Sequence, residues 1–515
     1  MQVIIDWIKR VFWQDPQACF QQMGGISDFV GCLNVIIWSE ALIYLALGAG
    51  LFYSILTRFV QVRMFREMIR LLFSSKESER GISSFQALAV SLSGRVGTGN
   101  IAGVAAAIGF GGPGAVFWMW MVAFLGSATA YVESALGQIY KEEDEGQFRG
   151  GPAYYIEKAM GQKWYAWIFA IATIFACGVL LPGVQSNSIG NAANLAVGGD
   201  TMVHFLGDSF PLDKLVTGVI VVGVLGFIIF GGVKRIAHVT QVIVPFMALG
   251  YIMMAVGIIL YRITEVPAIF ILIVSDAFSP MAGIGAAIGW GVKRGIYSNE
   301  AGQGSGPHAA AAAEVQHPAQ QGLVQSFSVY VDTLFVCSAT AFMILLTGMY
   351  NVAPESGEVV IQNLPLSTEI NSPAFTQLAL ESVMGGFGKT FVAVALFFFA
   401  FTTLLAYYYI AETNVAYIRR TIHLPGLLRL LKIVTLASVF YGTIRQADLA
   451  WAMGDLGVGL MAWLNIIGIL ILFFMGRPAL KALKDYEAQR KAGVKEYTFD
   501  PQKLGIKNAD FWENK

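Results

Sequence analysis

A run of small and polar residues, Ser93-Gly94-Arg95-Val96-Gly97-Thr98-Gly99-Asn100, interrupts an apolar segment extending from residue 85 to 110. Gly94, Gly97 and Gly99 each cost a helix about 1 kcal/mol against alanine. The segment is therefore predicted to break there. A hydrocarbon bilayer offers no partner to a freed peptide group, so the break must be buried in protein and face a cavity or a ligand. One half-helix then presents free N–H groups and the other free C=O groups. The first kind of end suits a carboxylate, the second a cation. This pattern points to ion-coupled movement of a small anionic or zwitterionic solute.

The rest of the chain agrees with a membrane setting. Of 515 residues, 56% are hydrophobic and 13% charged, against about 25% charged in soluble domains. Mean hydropathy is +0.61, and apolar runs near the spanning length of about 20 residues recur throughout. The net charge of zero shows no nucleic-acid footprint. The cysteines Cys19, Cys32, Cys177 and Cys337 form no C-x-x-C pair; Cys19 and Cys32 could pair if both face an oxidising compartment. The five histidines have no metal-binding spacing. Met1–Trp13 mixes Asp6, Lys9 and Arg10 with apolar residues, which suits an interfacial amphipathic helix better than a signal peptide.

Hydropathy predicts an all-α protein with eleven spans. The first is 34–58. The next five are 84–110, 113–140, 164–197, 214–232 and 236–261. The last five are 266–296 (broken), 324–349, 387–415, 428–444 and 449–476. Alternating these spans from a cytoplasmic loop after the first puts all but seven of the 34 lysines and arginines on one side. Lys293 and Arg294 fall in that cytoplasmic set. This asymmetry predicts an N-terminus outside and a C-terminus inside.

A second glycine-rich interruption, residues 279–289, opens the seventh span. Two broken helices in corresponding positions mark a midplane site in an inverted repeat. The predicted organisation is an amphipathic segment 1–33, a first helix and basic loop 34–83, five-helix repeats at 84–262 and 263–476, and a cytoplasmic tail 477–515. The loop 351–386 contains a predicted short helix at 375–383, either an external gate or a passive connector.

Three motifs carry a resemblance. Gly111-Gly112-Pro113-Gly114-Ala115-Val116-Phe117-Trp118-Met119-Trp120 continues through Gly126. The others are the 91–103 run SLSGRVGTGNIAG and Tyr297-Ser298-Asn299-Glu300-Ala301-Gly302-Gln303-Gly304-Ser305. Over residues 30–480 the chain resembles the sodium:alanine/glycine symporter family of the amino acid–polyamine–organocation group. The resemblance implies an inverted five-plus-five core like that of the sodium-coupled leucine transporters, with one extra N-terminal helix. It also implies inward symport of alanine or glycine with sodium across a bacterial cytoplasmic (inner) membrane. The alternative is a proton-coupled amino-acid transporter of the same fold. An enzyme is not expected, since no nucleophile, base or metal cluster is visible, and no G-x-x-x-x-G-K-[ST] is present. No particular oligomeric state is indicated.

Site residues follow from the break and the resemblance together. Thr98, Gly99 and Asn100 open the second half-helix, whose positive end suits a carboxylate; by resemblance its amides hold the substrate carboxylate. Thr402 and Thr403 resemble the hydroxyl pair of the sodium site shared across this fold. There the carbonyls of Ser93, Val96 and Phe399 complete the shell; taken alone, the pair also fits bonding to their own helix. Gln185, with Asn187 or Ser188, either binds the substrate amino group or bonds between helices. Asp276, Phe278 and Gly283 belong to the second break, where carbonyls would face the ammonium and bulk would limit substrate size. Arg95 must be paired or hydrated in a membrane. Glu133 and Asp332 are its candidate partners, in a gate or in a static ion pair.

Overall fold

The computed structural model describes residues 26–513 apart from 74–80, 145, 200, 206–207, 280, 356–357, 423 and 446. The predicted helix at the extreme N-terminus and Cys19 lie outside the described residues. Cys177 and Cys337 are buried free thiols, and Cys32 is disulfide-bonded.

The fold is a bundle of helices. Among the described residues eight are long and apolar enough to cross a membrane: Ala115–Ile139, Lys163–Val197, Leu212–Ile229, Lys234–Tyr261, Pro318–Thr347, Gly388–Arg419, Leu427–Ile444 and Ala447–Met475. A ninth is a bent pair, Ser27–Ile37 and Glu40–Leu56, meeting at 44°. The expected first span 34–58 therefore begins inside this bend. Its freed backbone is supported from the last long helix, where Trp463 Nε1 donates to Ile37 O (2.9 Å), and Trp38 Nε1 donates to Asp455 O (2.8 Å). The only strands among the described residues are three two-stranded hairpins in loops.

Both glycine-rich segments are interrupted helices. The first runs as Ser84–Arg95, then a π-helical turn Gly99–Gly103, then Val104–Gly111. The second runs as Val266–Phe278 and Ile284–Asn299. Two further π-helical stretches, Ala176–Leu180 and Tyr330–Cys337, lie inside long spans; such bulges commonly mark functional positions. The predicted short helix in the long loop forms at Ala374–Met384.

Close crossings depend on glycine, as membrane helices without a hydrophobic drive between them require. A Cβ on Gly137 would lie 2.7 Å from Pro307 O and 2.9 Å from Pro307 Cβ. On Gly50 it would meet Leu125 Cβ at 2.8 Å.

Among the described residues the tail does not stand away from the bundle. Pro478–Lys491 packs on the protein. Tyr486 donates to Glu67 Oε1 at 2.5 Å, and Glu487 pairs with Arg63 at 2.6 Å. Trp512 is buried, and its Nε1 donates to Gln138 O at 2.9 Å. The aromatic residues interleaved with the basic ones explain this docking.

Gly137→Val should cost about 1–3 kcal/mol by overpacking, read as a lower melting temperature of the purified protein. Gly48→Ala, where a Cβ meets nothing within 4 Å, should melt no lower than the parent.

Candidate functional site: the break at Val96–Thr98

The first half-helix is fixed at its start by a reciprocal capping box. Gln86 N donates to Ser83 Oγ (3.2 Å), and Ser83 N donates to Gln86 Oε1 (2.9 Å). It ends at Val96, whose φ of −80° and ψ of 87° leave the helical region. Glycine lets other groups approach the backbone here. The Cβ position of Gly97 is filled by Thr403 Oγ1 and Gln185 Oε1. At Gly99 it lies 3.1 Å from Ser298 Cα and 3.2 Å from Tyr297 Cδ1.

The freed peptide groups are met by a side chain of the break itself and by side chains from other helices. Gly97 N donates to Asn100 Oδ1 at 2.8 Å, and Thr98 N to Gln185 Oε1 at 3.0 Å. On the carbonyl side, Thr403 Oγ1 donates to Ser93 O (2.8 Å) and to Phe399 O (2.9 Å). Thr402 Oγ1 donates to Phe399 O and Phe398 O, both at 3.0 Å. The two threonines thus bond within their own helix, and Thr403 also reaches across to the break. Ser93, Val96, Thr98, Gly99, Asn100, Gln185, Phe399, Thr402 and Thr403 are all buried. Thr98 Oγ1 has no hydrogen-bond partner in the protein.

Asp332 joins this cluster from the π-helical stretch. Its Oδ1 accepts from Asn100 Nδ2 (2.6 Å) and Ser298 Oγ (3.0 Å), and its Oδ2 from Thr333 Oγ1 (2.7 Å). Cys337 Sγ lies 3.3 Å from Asn100 Nδ2 and 3.2 Å from Ser298 Oγ. Ser298 and Cys337 had not been anticipated. Ser298 lies in the Tyr297–Ser305 motif, which could have suggested it, whereas a lone cysteine in an apolar span gives no signal.

Other expected residues stand apart. Phe278 is 61% exposed and packs edge-on against Phe117 with centroids 5.1 Å apart. Gly283 has a φ of +93° and open space at its Cβ position. Neither reaches the cluster. Asp276 is a local tie that accepts from Gly114 N (2.7 Å) and Met281 N (2.9 Å). Asn187 bonds between helices, to Gly442 O and Arg445 O.

Arg95 makes no ion pair with Glu133 or Asp332. Its Nη1 donates to Gln325 O (3.0 Å) and to Ser328 Oγ, while Nε and Nη2 have no partner. Glu133 instead accepts from Gly302 N (3.2 Å), Gly304 N (3.1 Å) and Asn465 Nδ2 (2.7 Å). It thereby pins the segment 300–313, which is buried throughout. Glu300 abuts the first half-helix, its Oε2 lying 3.1 Å from the Gly94 Cβ position. Lys293 and Arg294, expected in a cytoplasmic loop, instead pair with Asp455 at 2.8 and 2.7 Å inside the bundle. Helix Ile284–Asn299 continues beyond them, so the charges are absorbed by a carboxylate on a neighbouring helix.

Residues 23–501 match the sodium:alanine symporter family. The chain belongs to that family. It is 58% identical over 492 residues to YrbD of Bacillus subtilis, covering 95% of this chain and 98% of that one. A sodium/proton-dependent alanine carrier protein of Bacillus sp. strain PS3 is 51% identical over 452 residues, 87% of this chain and 97% of the relative. The sodium/alanine symporter AgcS of Methanococcus maripaludis is 36% identical over 460 residues, covering 86% and 95%.

Glu133→Ala should leave two buried amides and the Asn465 amide short of an acceptor, at about 1–3 kcal/mol for each orphaned group. Thermal unfolding should show a large loss for Glu133→Ala and a smaller one for Glu133→Gln.

Proposed function

We propose that this chain is a secondary active symporter that imports a small neutral amino acid, alanine or glycine, together with sodium. The observation that carries the reading is the convergence at the break. Carbonyl and hydroxyl oxygens of Ser93, Phe399, Thr402 and Thr403 gather on one side of it, and the amides of Gly97 and Thr98 on the other. Family membership and the printed names of the relatives from strain PS3 and Methanococcus support alanine and sodium.

Sodium would take neutral oxygens from Ser93, Val96, Phe399, Thr402 and Thr403, the ligand type hard cations prefer. The substrate carboxylate would take the amide end at Thr98, Gly99 and Asn100. Gln185 would then exchange its bond to Thr98 N for one to the substrate. Two ligands at adjoining ends of one break raise each other's affinity by linkage. A membrane potential of 100 mV adds about 2.3 kcal/mol per charge moved, so uptake against a gradient needs no ATP. The pinned segment 300–313, with Arg95, Glu133 and Asp332 around it, would form the inner gate. Alternating access would rock one helical bundle against the other.

Counting each broken helix as one span with the nine above gives eleven. We read these as one helix followed by inverted repeats at 84–262 and 263–476, N-terminus outside and C-terminus inside, in a bacterial cytoplasmic membrane. The tail 477–515 would be cytoplasmic.

Proton coupling is the second reading, favoured by the PS3 relative's name. Against it, the position expected to hold the ion carries Thr402 and Thr403, which do not titrate.

Reconstituted vesicles should accumulate labelled alanine or glycine only under an inward sodium gradient, and accumulation driven solely by a proton gradient would favour the second reading. Thr403→Ala should weaken half-maximal sodium activation by at least about tenfold, or about 1.4 kcal/mol. Unchanged sodium activation would remove Thr403 from the ion site.

A further inference from the structure

A cavity of about 730 Å³ opens beside the second broken helix. It opens on the side of the long 351–386 loop, whose Pro354 and Glu355 line it. Charge is unevenly distributed on its walls. Glu40, Glu355 and Asp448 are carboxylates on the lining, while Lys293, Arg294 and Asp455 form a cluster in which two cations share one carboxylate. That cluster carries a net positive charge at partly buried positions, with side-chain exposures of 18%, 1% and 4%.

The two cations are held differently. Arg294 is bidentate on Asp455, at 2.7 and 3.2 Å, and lies over the Trp451 ring at 4.4 Å. Both of its Nη atoms are committed to Asp455, and its Nε is buried without a partner. Lys293 meets Asp455 Oδ2 at 2.8 Å and borders the Trp290 ring at 4.8 Å. An ammonium has three donors, so Lys293 can take a second carboxylate without first releasing Asp455. This cluster lies close to the break. Arg294 Cδ is 3.9 Å from the Gly103 Cβ position, and Tyr297, one helical turn on, is 3.2 Å from that of Gly99.

We propose that Lys293 is a waiting site for the carboxylate of the incoming α-amino acid, in a vestibule distinct from the site at the break. The acidic walls face the substrate ammonium, so a zwitterion is held with its carboxylate toward the Lys293–Asp455–Arg294 cluster. That orientation is the one required by the amide end of the break at Thr98 and Gly99, where Gln185 now holds Thr98 N. The bound carboxylate shares Lys293 with Asp455, which weakens the Lys293–Asp455 pair and loosens the ion-pair floor beneath the substrate. A cation at the bottom of a low-dielectric cavity concentrates anionic groups and speeds their capture.

This inference rests on the amino-acid reading above, and the test separates the two. Initial sodium-driven uptake of labelled alanine is measured in proteoliposomes for the parent, Lys293→Met and Lys293→Arg, at low and high ionic strength. Absence of both alanine and glycine uptake by the parent would sink the amino-acid reading itself, and where only glycine enters it replaces alanine in the comparison. Given parental uptake, Lys293→Met should raise KM about fivefold, a larger change than any fall in kcat. It should also flatten the dependence of kcat/KM on salt, and Lys293→Arg should restore both. A Lys293→Met protein with parental KM and parental salt dependence overturns the waiting site. So does one in which only kcat falls, because that outcome makes Lys293 a structural partner of Asp455. A variant that fails to fold is identified by its melting temperature, and Lys293→Gln then replaces it in the same comparison.

Discussion

Peptide groups stripped of their helical partners cannot be left in hydrocarbon, and this constraint organises the bundle around residues 96–98. Every element that approaches the break brings a polar atom to it. Gln185 comes from the fourth apolar segment, Asp332 from a π-helical stretch, and Thr403 from the 388–419 helix. Glycine at 97 and 99 allows that approach, because any side chain there would collide with Thr403 or Ser298. The break is therefore held open by three helices at once. A ligand that offers its own carboxylate or positive charge can replace those contacts without stranding a backbone group.

Buried charge follows the same logic. Glu133 is neutralised by two backbone amides and an asparagine rather than by Arg95. Arg95 rests on a carbonyl and a hydroxyl, with Glu300, Glu133 and Asp332 acting on it only through space. A guanidinium held this loosely among three carboxylates can change partners as the helices move. The ion pairs of Arg294 and Lys293 with Asp455 lie toward the large cavity. The two sides of the break thus differ, with a pinned peptide segment on one and a charge cluster on the other.

The helix break was legible because three glycines and a polar run inside an apolar segment admit few other readings. The same pattern marked the second break at 279–283. Apolar length located the long helices to within a few residues, but it missed the bend at Trp38–Ser39, which is tied to a distant helix by two indole bonds, Trp463 Nε1 to Ile37 O and Trp38 Nε1 to Asp455 O. The positions of Phe278 and Gly283 were not legible, because a break shows where a helix ends and not which way its ends face. Lys293 and Arg294 were misread for a related reason. Cations near a span's end look like loop residues unless the carboxylate that absorbs them, Asp455, is seen 161 positions from Arg294 in the chain. Arg95 likewise had two candidate carboxylate partners in sequence, Glu133 and Asp332, and its actual contacts, Gln325 O and Ser328, carry no charge to betray them.

The central claim is that ion and solute meet at the two ends of one interrupted helix. Calorimetric titration of alanine into the purified transporter, with and without sodium, and of sodium with and without alanine, tests it most directly. The account predicts that each ligand tightens the other's binding by the same factor. Alanine binding with equal affinity in sodium and in potassium would contradict it.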